Sequence, residues 1–238
     1  MRVDFHSHIL PQMDDGAASI DESIALLKML ADSEVKKVVL TPHFYRQNED
    51  IAHFLERRTK SYAKLCDAVK NIDGLPELML GAEVYFYPSL SSDPDFEKLS
   101  IEGTEYILLE LPFERFYDNF FSSFTSFTNR CDKKIILAHV ERYLEFGNTK
   151  KDIERLMHNG NITCQMNCTS IAQAGFFKMK TYSAMISEGM VSVIGTDTHN
   201  TSTRLPMYGK AENVIRKKCG NCAFDRICEN SEKIFTAH

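Results

Sequence analysis

A chain of 238 residues is long enough for one barrel-sized domain, and 43% hydrophobic against 26% charged residues allows a large core under a soluble surface. A net charge of −5 disfavours a polyanionic partner such as duplex DNA, although carboxylates clustered around divalent cations would offset much of that excess. No apolar run approaches the ~20 residues that cross a bilayer, Met1 leads into a strand rather than a secretion signal, and the seven cysteines form no regular framework. A cytoplasmic protein with no membrane insertion and no nucleic-acid partner is therefore expected.

The first predicted strand, over 3–8, is Val3-Asp4-Phe5-His6-Ser7-His8. Side chains alternate along a strand, so His6 and His8 point to one side and one cation can take both imidazoles. Asp14-Asp15-Gly16 follows. Ser19-x-x-Glu22 is a capping box, and Ile20, Ile24, Leu27 and Leu30 then form the apolar stripe of a helix. A strand over 36–41 runs out to His43, and a long, charged helix over 49–72 is closed by Asp73-Gly74-Leu75-Pro76. Strands are expected at 78–83, 105–111, 134–139, 162–168 and 191–197, and they carry Glu83, Glu110, His139, Asn167 and Asp197 near their ends, with His199 just beyond. Helical stretches at 149–159, 176–189, 206–218 and 222–235 complete an alternation of βα units, the pattern of a parallel sheet. No linker, repeat or low-complexity segment divides the chain, so 1–238 reads as one domain.

In closed (β/α) barrels the loops at the strands' C-terminal ends converge on one opening. Any one histidine or glutamate there is more often a hydrogen-bonded structural residue or a surface charge; it is the shared position that argues for a site. The candidate ligands are His6, His8, Asp15, His43, Glu83, Glu110, His139, Asp197 and His199. Nine are too many for one ion, since a catalytic zinc uses about three protein ligands plus water, so two or three ions are implied, with a carboxylate such as Glu83 bridging a pair. Imidazole mixed with carboxylate suits manganese, iron or zinc. Ions about 3.5–4 Å apart lower the pKa of a shared water and hold the attacking and leaving oxygens of an in-line displacement, which is phosphoester chemistry. Arg142 and Arg204 leave the same strand ends and can fork two phosphoryl oxygens, or can instead pair Glu141 or Asp197. Tyr85-Phe86-Tyr87, directly after Glu83, offers either a wall for an aromatic substrate or ordinary packing. Cys219-x-x-Cys222 and Cys228 lack a fourth zinc ligand and read as free thiols.

Asp4-Phe5-His6-Ser7-His8, Asp14-Asp15-Gly16, Thr41-Pro42-His43, Gly81-Ala82-Glu83, His139-Val140-Glu141-Arg142 and Asp197-Thr198-His199-Asn200 together resemble the polymerase and histidinol phosphatase (PHP) superfamily. Within it, the combination is similar to the bacterial capsule-type, manganese-dependent protein-tyrosine phosphatases. The resemblance spans residues 3 to about 204. It implies a distorted (β/α)7 TIM-like barrel of the PHP type, three divalent ions, and hydrolysis of phosphotyrosine on a protein, typically the tail of a membrane-associated kinase that controls capsule or exopolysaccharide export. By position it groups His6, His8, Glu83 and Asp197 at one ion, Glu83, Glu110 and His139 at a second, and Asp15, His43 and His199 at a third, with Arg142 and Arg204 on the phosphate. The aromatic-rich stretch from Phe113 to Phe127 and the cysteine-containing C-terminus have no counterpart in that pattern.

Three other readings compete. A histidinol-phosphate phosphatase would use the same metals with a different pocket, and a polymerase-associated exonuclease would want a basic stripe that the chain lacks. A binding module that docks phosphorylated tails without turnover would not need so many deprotonated donors. Cysteine-dependent tyrosine phosphatases are excluded, because no cysteine has an arginine six positions on.

Overall fold

The computed structural model describes residues 1–158 and 161–236. Strands and helices alternate from β1 (Val3–Ser7) and α1 (Ile20–Asp32) onward. Two expected strands meet a break. The 36–41 run is β2 (Lys37–Leu40), and beyond it a separate short strand, β3 (His43–Phe44), follows Pro42, which has no N–H to give a ladder. After α2 (Ile51–Val69), the 78–83 run becomes β4 (Glu77–Leu80) and β5 (Glu83–Tyr85) around Gly81-Ala82. The remaining strands are β6 (Tyr106–Glu110), β7 (Lys134–Leu137), β8 (Ile162–Asn167) and β9 (Val191–Gly195), each within two residues of its expected bounds.

The breaks sort the strands into two all-parallel sheets, one ordered β1-β2-β4 and the other β3-β5-β6-β7-β8-β9. Beyond its last residue β9 meets β1: the Asp197 N–H donates to His6 O at 2.7 Å and the His8 N–H to Thr198 O at 2.9 Å. In register, His43 of β3 lies opposite Glu83 of β5, which brings two of the predicted ligands side by side.

The helices that link the strands are α3 (Asp118–Thr128), α4 (Val140–Tyr143), α5 (Lys150–Met157), α6 (Cys168–Gln173), α7 (Phe176–Ser187), α8 (Tyr208–Cys219) and α9 (Asn221–Thr236). The helix expected over 149–159 is α5, and position 159 lies outside the described residues. Ser19 caps α1 by accepting from the Glu22 N–H, and Leu27 and Leu30 are buried as the stripe requires. Most buried apolar residues lie between the strands and the helices. A second, smaller cluster is built from the alternate positions Val3, Phe5, Val39, Leu108, Ile136 and Val193, and is closed from below by Ile234 and Phe235 of α9.

Helix α3 was not anticipated. Phe120, Phe121, Phe124 and Phe127 follow the i, i+1, i+4, i+7 spacing of a helical face, but serine and threonine fill the intervening positions and Tyr117 gives no side-chain cap. Packing decides: Phe121, Phe124 and Phe127 are buried, and the Phe86 ring stands edge-on to Phe120, Phe124 and Phe127 with centroids 5.9, 5.5 and 5.3 Å away.

Candidate metal centre

The alternation of β1 places His6 and His8 on one side as expected, with their Nε2 atoms 3.1 Å apart. Glu83 reaches both, its Oε2 lying 3.2 Å from His6 Nε2 and 3.4 Å from His8 Nε2, and it is also 2.8 Å from His43 Nδ1. Asp197 Oδ1 is 3.6 and 3.3 Å from the same two Nε2 atoms. His139 Nε2 contacts Glu83 Oε1 at 2.8 Å and Glu110 Oε1 at 3.3 Å. At the rim, Asp15 Oδ1 lies 3.3 Å from His199 Nε2 and 3.6 Å from His43 Nε2. All nine candidate ligands thus meet in one place, and all but Asp15 and His43 are buried.

Their donor atoms form three overlapping groups able to hold a cation: His8, Asp15, His43 and His199; His6, His8 and Glu83; and His43, Glu83 and Glu110. This partition differs from the one implied by the resemblance: His8 and His43 each belong to two groups, and His139 and Asp197 belong to none.

The residues present fit such ions. Glu83 Oε2 and His199 Nε2 are buried and make no hydrogen bond of adequate geometry, so both keep lone pairs aimed into the cluster. The other nitrogen of three rings is tied down: His8 Nδ1 to Asp14 Oδ2 at 2.8 Å, His6 Nδ1 to Gln165 Oε1 at 3.2 Å, and His199 Nδ1 to Asp197 O at 3.0 Å. An acceptor at Nδ1 selects the tautomer with its proton there and turns the Nε2 lone pair to the centre.

Asp14, Gln165 and Asn167 form the supporting layer. Asp14 also accepts from the His43 and Gly16 N–H groups at 2.9 Å each. Gly16 has to be glycine, since a Cβ would sit 2.1 Å from His8 O. Gln165 Oε1 accepts from the His139 N–H at 2.7 Å, its Nε2 donates to Asn167 Oδ1 at 2.8 Å, and Asn167 Nδ2 donates to Asp197 Oδ2 at 2.8 Å. Two of the candidate ligands, His139 with φ 33° and Asp197 with φ 51°, hold the left-handed backbone that non-glycine residues seldom adopt. Such strain persists where surrounding bonds over-determine it.

The charges are strongly coupled. Burial pushes the Glu83 and Asp197 carboxyls up, but the surrounding histidines outweigh it and hold both well below the usual carboxylate range. Burial pushes His139 down, and the carboxylates of Glu110 and Glu83 overcome this and raise it to about 10. His199 goes the other way, down to about 4, through burial and the neighbouring His8. Where a histidine such as His139 is held protonated beside carboxylates, a cation bound there would displace its proton.

A cavity of about 460 Å³ opens over the cluster, lined by Asp15, His43, Tyr45, Phe113, Arg142 and Arg204 among others. The two arginines differ. Arg204 is paired with Asp197 Oδ1 at 2.9 Å and Asp15 Oδ2 at 3.7 Å, whereas the Arg142 guanidinium lies 4.3 Å over the Phe113 ring and is in no ion pair among the described residues. Glu141, the alternative partner of Arg142, is buried and instead accepts from the Asn167 N–H.

The Tyr85-Phe86-Tyr87 run does not wall this cavity. Phe86 is buried against α3, Tyr87 donates to Asp93, and the Tyr85 ring is tilted against Tyr45 with centroids 5.5 Å apart. The aromatic walls are Tyr45 and Phe113. Tyr45, whose hydroxyl donates to Glu110 Oε2 at 3.3 Å, was missed although it lies two residues after His43 at the end of β3. The cysteines stay out of the site: all seven are free, and no possible metal group among the described residues includes one.

Parallel α/β architecture with imidazoles and carboxylates converging at the strand ends is the chemistry of a metal-dependent α/β protein rather than a thiol enzyme. The family described as capsular polysaccharide synthesis, CpsB/CapC, matches residues 2–236, and the chain belongs to it. Relatives include the tyrosine-protein phosphatase CpsB of Streptococcus pneumoniae, 28% identical with 98% of this chain and 97% of that protein covered. Another is the tyrosine-protein phosphatase YwqE of Bacillus subtilis, 27% identical over 97% of this chain and 90% of that one. A solved structure from work on YwqE and CpsB as unique metal-dependent tyrosine phosphatases superposes with a TM-score of 0.82 at 24% identity, covering 98% of this chain and 94% of the other, and so shares the fold. The capsule-type resemblance of the motif residues is borne out at the level of this family.

Proposed function

We propose that this chain is a metal-dependent protein-tyrosine phosphatase acting on a phosphotyrosine-bearing protein, with a membrane-associated bacterial tyrosine kinase of capsule or exopolysaccharide export as the partner. The observation that carries the reading is the convergence of nine ligand-type side chains under a cavity with a free guanidinium, in a chain related over its whole length to tyrosine-protein phosphatases. The two sheets are the arcs of one distorted (β/α)7 barrel, and the chain is one cytoplasmic domain; no helix among the described residues is long and apolar enough to cross a membrane.

His6, His8, Asp15, His43, Glu83, Glu110, His139, Asp197 and His199 would hold three divalent ions, manganese before iron or zinc; seven of them make up the three overlapping donor groups, and His139 and Asp197 lie against Glu83 and the His6–His8 pair. When bound, the ions supply Lewis acidity for attack of water on phosphorus. The chain's own residues do the rest. Tyr45 and Phe113 flank the phenyl ring. Arg142, with no carboxylate to give up, is the readier fork for two phosphoryl oxygens, and Arg204 must first loosen from Asp197. The tyrosinate leaving group, with an ordinary pKa of about 10, departs without a strong general acid once its charge is stabilised.

The test is phosphate release by metal-stripped protein reconstituted with manganese, on a phosphotyrosine peptide beside histidinol phosphate. Strong preference for the peptide supports the proposal. Preference for histidinol phosphate moves the chain to small-molecule chemistry, and peptide binding without phosphate release makes it a docking module.

A further inference from the structure

The cavity over the metal centre is one end of a longer trough. A second cavity of about 540 Å³ shares Asp15, His43 and Tyr45 with it and extends along Met13, Asp14, Glu49, His53 and Arg57. A third, of about 410 Å³, shares Met13 and Arg57 with the second and runs on between α1 and α2, past Lys60 and Lys64. Arg57, Lys60 and Lys64 follow i, i+3, i+7 spacing on α2, so they form one basic stripe roughly 10 Å long, the span of about three residues of extended peptide. Asp21 is the one carboxylate residue lining that far cavity. In a chain of net charge −5 this is a local reversal of sign at the far end, reached from the catalytic opening through a stretch lined by Asp14, Asp15 and Glu49 beside His43, His53 and Arg57.

The three cations are engaged to different degrees. Arg57 pairs with Glu49 and donates to Met13 O at 2.7 Å, which anchors to α2 the loop that carries Asp14 and Asp15. Lys60 is exposed and, among the described residues, paired only with exposed Glu56 one turn away, a solvent-screened contact that an incoming anion readily displaces. Lys64 is exposed and in no ion pair among the described residues.

We infer that this trough is a docking groove for an extended acidic segment flanking the phosphotyrosine of the substrate protein, with Lys60 and Lys64 reading the acidic side chains. The inference rests on the phosphatase reading and adds a basis for choosing among phosphotyrosines: a phosphoryl group in the metal cavity, backbone along Met13, and anionic side chains at the far end. Arg57 is a positioning residue at the joint between the two ends.

The test is the doubly charge-reversed Lys60→Glu/Lys64→Glu variant of the metal-loaded chain, compared with wild type on three substrates. These are p-nitrophenyl phosphate, a phosphotyrosine peptide with acidic flanks, and its glutamine-flanked counterpart. The variant should raise KM for the acidic peptide about tenfold, leave kcat and p-nitrophenyl phosphate turnover unchanged, and abolish the wild-type preference for acidic over neutral flanks. Lys60→Gln/Lys64→Gln should give a smaller shift in the same direction, and added salt should erase the preference in wild type. Equal KM values for wild type and variant on the acidic peptide would overturn the groove while leaving the phosphatase reading intact. Fluorescence anisotropy of an acidic-flanked peptide carrying a phosphonate in place of the phosphate reads the groove without turnover: binding weakened about tenfold by the charge reversal supports it, and unchanged binding refutes it.

Discussion

The same strands build two opposite interiors. At their N-terminal halves Val3, Phe5, Val39, Leu108, Ile136 and Val193 form a dry cluster sealed by Ile234 and Phe235. One or two alternations further along, His6, His8, Glu83, Glu110, His139 and Asp197 are equally buried but carry charge. The first region is held by area removed from water and by close packing, and it tolerates nothing polar. The second is held by mutual neutralisation, by tied imidazole tautomers and by two left-handed backbone positions, and has stability only with protons or cations among its carboxylates. Two ends of one sheet system therefore fail in different ways when mutated.

The largest difference should come from His139→Ala or Asp197→Ala, which abolish turnover while far-UV circular dichroism and a cooperative melt persist; near-full activity would sink the site assignment. Phe5→Ala should do the reverse. With its ring fully buried, about 3–5 kcal/mol of stability is lost in chemical denaturation, but the molecules that stay folded keep their kcat. Asp14→Asn is subtler, since one amide oxygen can still accept while the carboxylate shared by His8 Nδ1 and the His43 N–H is lost; about 10–100-fold in metal affinity or activity should go, with a smaller loss of melting temperature than Phe5→Ala.

The smallest effect lies outside both regions. Burial pushes the Glu212 carboxyl up, but hydrogen bonds from Arg2 and Arg216, at 2.9 Å each, outweigh it and hold the group below its ordinary value. A depressed carboxyl contributes stability that is complete above its unfolded pKa of about 4.3 and is lost as pH falls through the folded value. Glu212→Gln should accordingly lower the melting temperature at pH 7, with the gap to wild type closing below about pH 4.

How much of this was written in the sequence follows from the range of each interaction. Eight of the nine candidate ligands sit at or just beyond strand ends, where periodicity and spacing point to them, and Asp15 lies in the loop after β1; their motifs point to the family as well. Gln165 and Asn167 could not be read this way: they act on His6, His139 and Asp197 across strands 26 or more residues apart, so their roles exist only once the register of β7, β8 and β9 is set. Asp14 stands beside Asp15 in the sequence but has a different task, and only the turn at Gly16 decides which of the two carboxylates backs His8 and which faces the cavity. Of the two readings open for Tyr85-Phe86-Tyr87, packing is the one observed, and the aromatic side chains at the opening are Tyr45, just past β3, and Phe113. Helix α3 went unseen because its face is written in phenylalanine and its remaining positions in serine and threonine, which tertiary packing overrides.

The central claim is that cations, not a protein nucleophile, make the strand-end cluster active. It is tested most directly by titrating metal-stripped protein with manganese while counting bound equivalents and phosphate released from a phosphotyrosine peptide. Three equivalents bound per chain, with activity absent before loading and appearing as they fill, is the predicted result; full activity in the stripped protein would contradict it.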